Sequence, residues 1–200
     1  MAIEIQGLSK SYDGVTVFQN VDLRLEEGGI YCLLAPSGAG KTTLFRILMG
    51  LEKPDSGHVL GLPQGAVAAV FQEDRLCQAL TARKNIQLVH PVLTGEELQQ
   101  ELRRLLPEDS LDKPVSEFSG GMRRRVALMR ALMAPGLLLL MDEPFNGLDE
   151  VTRKTAIDYV LEHRRGRTLL FTTHHVEEAR QLGARMIRWQ ESEKCWIMDR

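Results

Sequence analysis

Nine residues from Ala35 to Thr43, APSGAGKTT, combine the groups needed to hold a chain of phosphates. Gly38 and Gly40 free the backbone to curl until successive N–H groups face inward as an anion nest. Lys41 carries a positive charge within reach of β and γ phosphates, and the Thr42 hydroxyl is placed to coordinate Mg²⁺. Pro36, Ser37, Ala39 and Thr43 complete the loop and the start of the helix behind it. That helix directs the positive end of its dipole at the same anion. A Gly-Lys-Ser/Thr triplet arises by chance in roughly one chain in ten of this length, so its neighbours must decide. A strand-like run, Ile30 to Leu34, precedes it, and the helical run LFRILMG follows and stops at Gly50. One position departs from the G-x-x-x-x-G-K-[ST] pattern, because Ala35 stands at the first glycine. Alanine is harmless there at negative φ and strained by roughly 1 kcal/mol or more at positive φ. With Gly38 and Gly40 intact, we expect negative φ.

A second constellation is the apolar run Leu137 to Met141, which ends in Asp142-Glu143-Pro144. Beside a phosphate loop, Asp142 suits a Mg²⁺ ligand partnering the loop's Ser/Thr, and Glu143 is placed to polarise an attacking water. The alternative, an acidic turn after a buried strand, is the weaker reading in that company. A third is FSGGMRRRV. Ser119 has helix N-cap chemistry, and Gly120-Gly121 leaves the first N–H groups uncovered, a second anion-binding helix start. Its alternative is a plain capped helix, with Arg123, Arg124 and Arg125 as a solvated face.

The elements that must position these groups follow from periodicity. Ile3 and Ile5, then Val21, Leu23 and Leu25, alternate as strands do before a turn at Gly28-Gly29. Apolar runs at 30–34, 67–71, 137–141 and 168–172 suit strands buried on both faces. Between 73 and 118 the character changes to a small helical insertion, with Leu93, Leu98, Leu102 and Leu105 on one helical face. Helices are expected at about 120–134, 151–164 and 176–182. The tail is expected to form a hairpin turning near Glu191 to Glu193. We read residues 1–200 as a single α/β domain.

Composition narrows the class. The chain has 200 residues and a formal net charge of −2, so no basic face argues for a nucleic-acid partner. Cys32, Cys77 and Cys195 show no CxxC pairing and read as reduced thiols. The longest apolar run is far short of the roughly 18 residues of a membrane span, and Glu4 interrupts any signal-peptide pattern. A soluble, cytoplasmic chain is expected, reaching a membrane only through another protein.

With these residues in place, the sequence resembles the ATP-binding-cassette (ABC) family over nearly its whole length, and the motifs occur in the family's order. Tyr12 resembles the aromatic that stacks on adenine, APSGAGKTT the Walker A loop, and Gln72 in VFQEDRL the Q-loop glutamine that senses metal and partner. FSGGM is similar to the signature, MDEP to Walker B with Glu143 as catalytic base, Asp149 in NGLD to the D-loop, and His174 to the switch histidine at the γ-phosphate. Read in isolation, Tyr12 is also a strand-end aromatic, Gln72 a surface side chain and His174 a capping residue. The resemblance implies a P-loop core with a mainly parallel sheet, an N-terminal antiparallel β subdomain and a helical insertion. It implies ATP and Mg²⁺ as cofactors and a second ATPase subunit, so that Ser119, Gly120 and Gly121 act on the partner's nucleotide. Integral-membrane permease subunits and a substrate-binding protein are also implied, with the chain peripheral on the inner face of the cell membrane. VFQEDRL, FSGGM-R and MDEPF–LD are similar to the nitrate, sulfonate and taurine importer group. The alternatives are a soluble ABC ATPase outside transport, which normally carries long coiled-coil insertions or tandem cassettes, and a P-loop kinase, which has no use for FSGGM.

Overall fold

Alternating apolar residues near the N-terminus build an antiparallel layer in the computed structural model, which describes residues 2–91 and 95–199. Strand β1 (Ile3–Tyr12) lies between β2 (Val15–Leu25) and β4 (Ser56–Leu60). Ile3, Ile5 and Leu8 on β1 and Val21, Leu23 and Leu25 on β2 are buried. β4 escapes the sequence reading because SGHVL shows no apolar alternation, and only Val59 is partly buried. Its pairing needs glycine at 57: φ is +78°, and a Cβ there meets the Gly7 carbonyl oxygen at 2.4 Å.

The buried apolar runs form a second sheet in the order β5-β6-β7-β3-β8-β9. Its members are β3 (Ile30–Leu34), β5 (Val67–Val70), β6 (Leu138–Asp142), β7 (Thr168–Thr172), β8 (Arg185–Gln190) and β9 (Cys195–Met198). All neighbours run parallel except the β8–β9 hairpin. Alternate residues of β6 divide between two cores. Leu138 and Leu140 face helix α1 (Lys41–Leu48) and the antiparallel layer, so α1 is held between the sheets. Leu139 and Met141 face the helices of the other side. This is the expected α/β fold with its antiparallel N-terminal layer. The expected element ends differ from those observed by one residue or so, as helix fraying allows. No helix among the described residues is long and apolar enough to cross a membrane.

The second core takes in α2 (Ala82–Gln87), α3 (Gly95–Leu105), α4 (Gly120–Met133) and α5 (Glu150–His163). Leu98, Leu102 and Leu105 of α3 are buried as predicted, whereas Leu93 lies outside the described residues. Acidic Glu96 and Glu97 begin α3 and basic Arg103 and Arg104 end it, each matching the helix dipole. A polar cluster joins α3 to α5: the Tyr159 hydroxyl donates to Glu101 at 2.8 Å, and His163 Nε2 lies 3.1 Å from the same carboxylate. Asn85, fully buried, accepts from the Cys77 amide and donates to carbonyls of Cys77, Leu80 and Thr81, which pins the loop ahead of α2. Cys32, Cys77 and Cys195 are free thiols, and burial pushes that of Cys32 up to about 12.

The tail hairpin closes the sheet and also reaches the antiparallel layer. Trp196, 1% exposed, packs 5.1 Å from Phe18 of β2 and 5.0 Å from Trp189, ring centre to ring centre. The Gln19 amide donates to the Lys194 carbonyl at 2.9 Å. Phe18 in turn stands beneath Gly40 of the phosphate loop. Replacing Trp196 by alanine is expected to destabilise the fold by about 3–5 kcal/mol. Urea unfolding followed by far-UV circular dichroism measures it, and a loss below 1 kcal/mol on the same scale contradicts this account of the tail.

Candidate functional site

Strand register assembles the site. β7 pairs with both β3 and β6, so Leu33 aligns with Thr172 and Thr172 aligns with Asp142. The phosphate loop leaves β3 and the carboxylate pair leaves β6 at one edge of the sheet, at the carboxyl ends of parallel strands, where such sheets bind ligands. The pleat then selects the face. Asp142 shares the side of Leu138 and Leu140 that packs on α1, the helix bearing Thr42. Thr42 and Asp142 consequently line one cavity of about 240 Å³.

Within the loop, Gly38 and Gly40 have φ of +86° and +80°. A Cβ on Gly40 meets Val17 Cγ1 at 2.4 Å, so both the conformation and the space require glycine. Gly40 is also the N-cap of α1 and uses no side-chain cap, which leaves the helix's first amides to a ligand. Six described non-glycine residues have positive φ, and Ala35 is not among them. The Ala35 carbonyl accepts from Lys41 Nζ at 2.7 Å, and the Pro36 carbonyl does so at 3.0 Å. Pro36, Ser37 and Gly38 are exposed, Ala39 is buried beneath them, and Thr43 lies on the first turn of α1. The cradle therefore suits a polyphosphate.

Asp142 and Glu143 are held differently. The Thr172 hydroxyl donates to Asp142 Oδ1 at 2.6 Å and accepts from the Glu143 amide at 2.9 Å. That leaves Asp142 Oδ2 as the hard oxygen donor a divalent cation prefers, in the cavity that Thr42 also lines. Glu143 sits at φ +46°, unusual for a residue with a long side chain. One of its oxygens lies 2.9 Å from His174 Nε2, and the other accepts from Asn146 Nδ2 at 3.1 Å. The carboxylate is fixed between two side chains. Sequence reasoning named His174 but missed Thr172 and Asn146; Thr172, a polar residue closing an otherwise apolar strand, was the available signal.

The remaining candidates lie apart. Ser119 caps α4, accepting from the Met122 amide at 3.2 Å. Gly120 and Gly121 line a separate cleft of about 290 Å³ with Gln72, Asn146 and Gly147. Gln72 is thus an exposed side chain on that cleft and does not line the cavity of Thr42 and Asp142. Asp149 caps α5, accepting from the Thr152 amide at 2.9 Å and hydroxyl at 2.7 Å, and the amide bond above all lowers its carboxyl pKa. Tyr12, 42% exposed at the end of β1, has Lys10 Nζ 5.1 Å from its ring centre. His175 is exposed and begins α6 (Val176–Gln181). The solvated-face reading of the arginines is overturned. Arg123 donates to the Phe118 carbonyl, Arg125 to those of Gly121 and Leu105, and Arg124 is buried.

A parallel sheet that brings a phosphate cradle and a paired carboxylate to one edge defines a P-loop nucleotide-binding fold. The ABC transporter family matches residues 18–146. This chain belongs to that family and shares its ATPase activity. Among similar proteins, a probable sulfate/thiosulfate import ATP-binding protein of Chlorella vulgaris is 35% identical over 94% of this chain and 86% of its own length. An aliphatic sulfonates import ATP-binding protein of Agrobacterium fabrum is 36% identical over 99% of this chain and 80% of its own. One of the same description from Pseudomonas savastanoi pv. phaseolicola is 41% identical over 89% and 76%. The solved dimeric ATP-binding cassette MJ0796, in a post-hydrolysis state bound to ADP and Pi, superposes with a TM-score of 0.83 at 25% identity, covering 99% of this chain and 98% of that one.

Two substitutions probe the geometry. Gly40→Ala is expected to keep the fold and weaken binding of a fluorescent ATP analogue by tenfold or more, since about 1.4 kcal/mol of strain suffices; unchanged affinity contradicts the cradle. Thr172→Val keeps the shape and orphans the Glu143 amide, at a cost of about 1–3 kcal/mol. It should also raise the Mg²⁺ concentration that gives half-maximal turnover, and an unchanged Mg²⁺ titration contradicts the role given to the hydroxyl.

Proposed function

We propose that this chain is the ATP-hydrolysing subunit of an importer, energising uptake through integral-membrane permease subunits. The observation that carries the reading is the fixed carboxylate of Glu143, 2.9 Å from His174 and next to an Asp142 that Thr172 orients. Glu143 accepts the proton of the attacking water, and His174 contacts the γ-phosphate. Gly38, Ala39, Gly40 and the first amides of α1 bind the phosphates, Lys41 turns from the Ala35 carbonyl to them, and Tyr12 stacks on adenine. Thr42 and Asp142 would hold Mg²⁺, with Gln72 as a further oxygen donor. The metal would supply positive charge to offset that of the phosphates.

Gly120 and Gly121, which follow the Ser119 cap, line a different cleft from Thr42 and Asp142, which supports the three acting on the nucleotide of a second copy, with Asp149 at that junction. The chain then sits on the inner face of the membrane through its permease, and a binding protein delivers substrate outside. Relatives named for sulfate/thiosulfate and aliphatic sulfonate import support sulfur oxyanions as the substrate class to test first.

Glu143→Gln is expected to bind ATP normally, to lose about 10²–10⁴-fold in turnover, and to elute as an ATP-dependent dimer on size exclusion. Turnover at the wild-type rate removes Glu143 as the base. Lys41→Ala should instead weaken ATP affinity about 10–100-fold, the worth of a hydrogen bond to a charged group. Phosphate release by the wild-type chain with no acceptor present excludes a kinase. Co-purification with an integral-membrane permease supports the transport role, and stable association with ribosomes or DNA in its place overturns it.

A further inference from the structure

Arg124 lies on α4 five residues beyond Ser119, about 7–8 Å further along the helix. It is 4% exposed. Its guanidinium reaches two loops at once. Nε donates to the Pro144 carbonyl at 3.0 Å, and Nη2 to the carbonyls of Asp142, at 2.6 Å, and Glu143. Nη1 donates to the Phe71 carbonyl at 2.6 Å and lies 3.4 Å from that of Gln72 and 3.3 Å from Asp74 Oδ1. Three successive carbonyls, 142 to 144, therefore converge on one cation. This convergence accounts for the backbone of Glu143, whose φ of +46° is unfavourable for a residue with a side chain unless its surroundings hold it.

We infer that Arg124 is a positioning residue for hydrolysis: it ties the helix that begins at Ser119 to the backbones of Glu143 and Gln72 and so keeps the Glu143 carboxylate in place. The inference rests on the ATPase reading above. Only arginine meets the geometry. Its five donors lie in a planar fork that spans both loops, whereas lysine offers three donors from a single nitrogen and glutamine two. Arg124 does not itself line the cavity of Thr42 and Asp142 and meets its walls only through the main-chain carbonyls of Phe71 and Asp142, so its loss is expected to act on turnover more than on the chain's own ATP binding. Because Gly120 and Arg124 share one helix, a shift of the glycine end also moves the carbonyls that set Glu143.

The test is Arg124→Lys, which keeps the charge and loses the fork. Turnover is expected to fall about 10–100-fold, as for other residues that orient a catalytic group, with unchanged affinity for a fluorescent ATP analogue. A variant that turns over at the wild-type rate overturns the inference. So does one whose binding and turnover fall together in proportion to the folded fraction seen by circular dichroism, because that marks Arg124 as structural only. If the lysine variant does not fold, Arg124→Gln, which removes the buried charge with the fork, is read by the same two outcomes. A wild-type chain that releases no phosphate defeats the ATPase reading itself, a result distinct from either.

Discussion

The site depends on the parallel pairing of β7 with β3 on one side and β6 on the other. The register Leu33–Thr172–Asp142 sets three chain segments at one level of the sheet. Because side chains alternate along a strand, a slip of one residue turns Thr172 and Asp142 to the opposite face. Asp142 then points away from α1 and Thr42, and the Thr172 hydroxyl loses both of its bonds. Apolar packing enforces the register. Leu138, Leu140 and Leu170 must face α1, while Leu139, Met141, Leu169 and Phe171 must face α4 and α5. A hydrophobic constraint thus fixes the placement of a polar pair.

That constraint also explains what the amino-acid sequence revealed. Strands buried on both faces read as continuous apolar runs, so β3, β6 and β7 were legible, and with them the order of the loops they carry. The phosphate loop was legible because positive φ and close packing demand glycine at 40. β4 was not, since an edge strand with four of five residues exposed carries no alternation. Thr172 closes a strand with a residue that reads as polar, and its importance appears only when β6 is laid beside it. Arg124 was hidden by its neighbours, because three arginines in a row suggest a charged face. Helical spacing held the contrary signal. Arg124 lies three and four residues before Ala127 and Leu128, both buried, so it sits on the apolar stripe of α4.

Ala35 shows how a departure from a pattern is absorbed. Glycine is indispensable where φ is positive or a Cβ collides, and Gly40 meets both conditions. Ala35 has no positive φ. Its observed contribution is a main-chain carbonyl that accepts from Lys41 Nζ, and alanine supplies that group as well as glycine does. The methyl group packs among the apolar residues that surround α1. The substitution leaves intact the positive-φ glycines Gly38 and Gly40 that shape the loop.

The two helix starts proposed to bind anions are built on unlike principles. At α1 the cap is a glycine that offers no side chain, so the first amides stay available to phosphate. At α4 the cap is Ser119, whose hydroxyl already takes the Met122 amide, while Gly120 and Gly121 open onto a cleft shared with Gln72, Asn146 and Gly147. Behind the first start stands the sheet, through β3 and its register. Behind the second stands Arg124, which bonds to the same turn that orients Glu143. One half of the chemistry is therefore positioned by strand pairing and the other by a single buried cation. The cation is the element through which a change at the glycine end of α4 reaches the carboxylate.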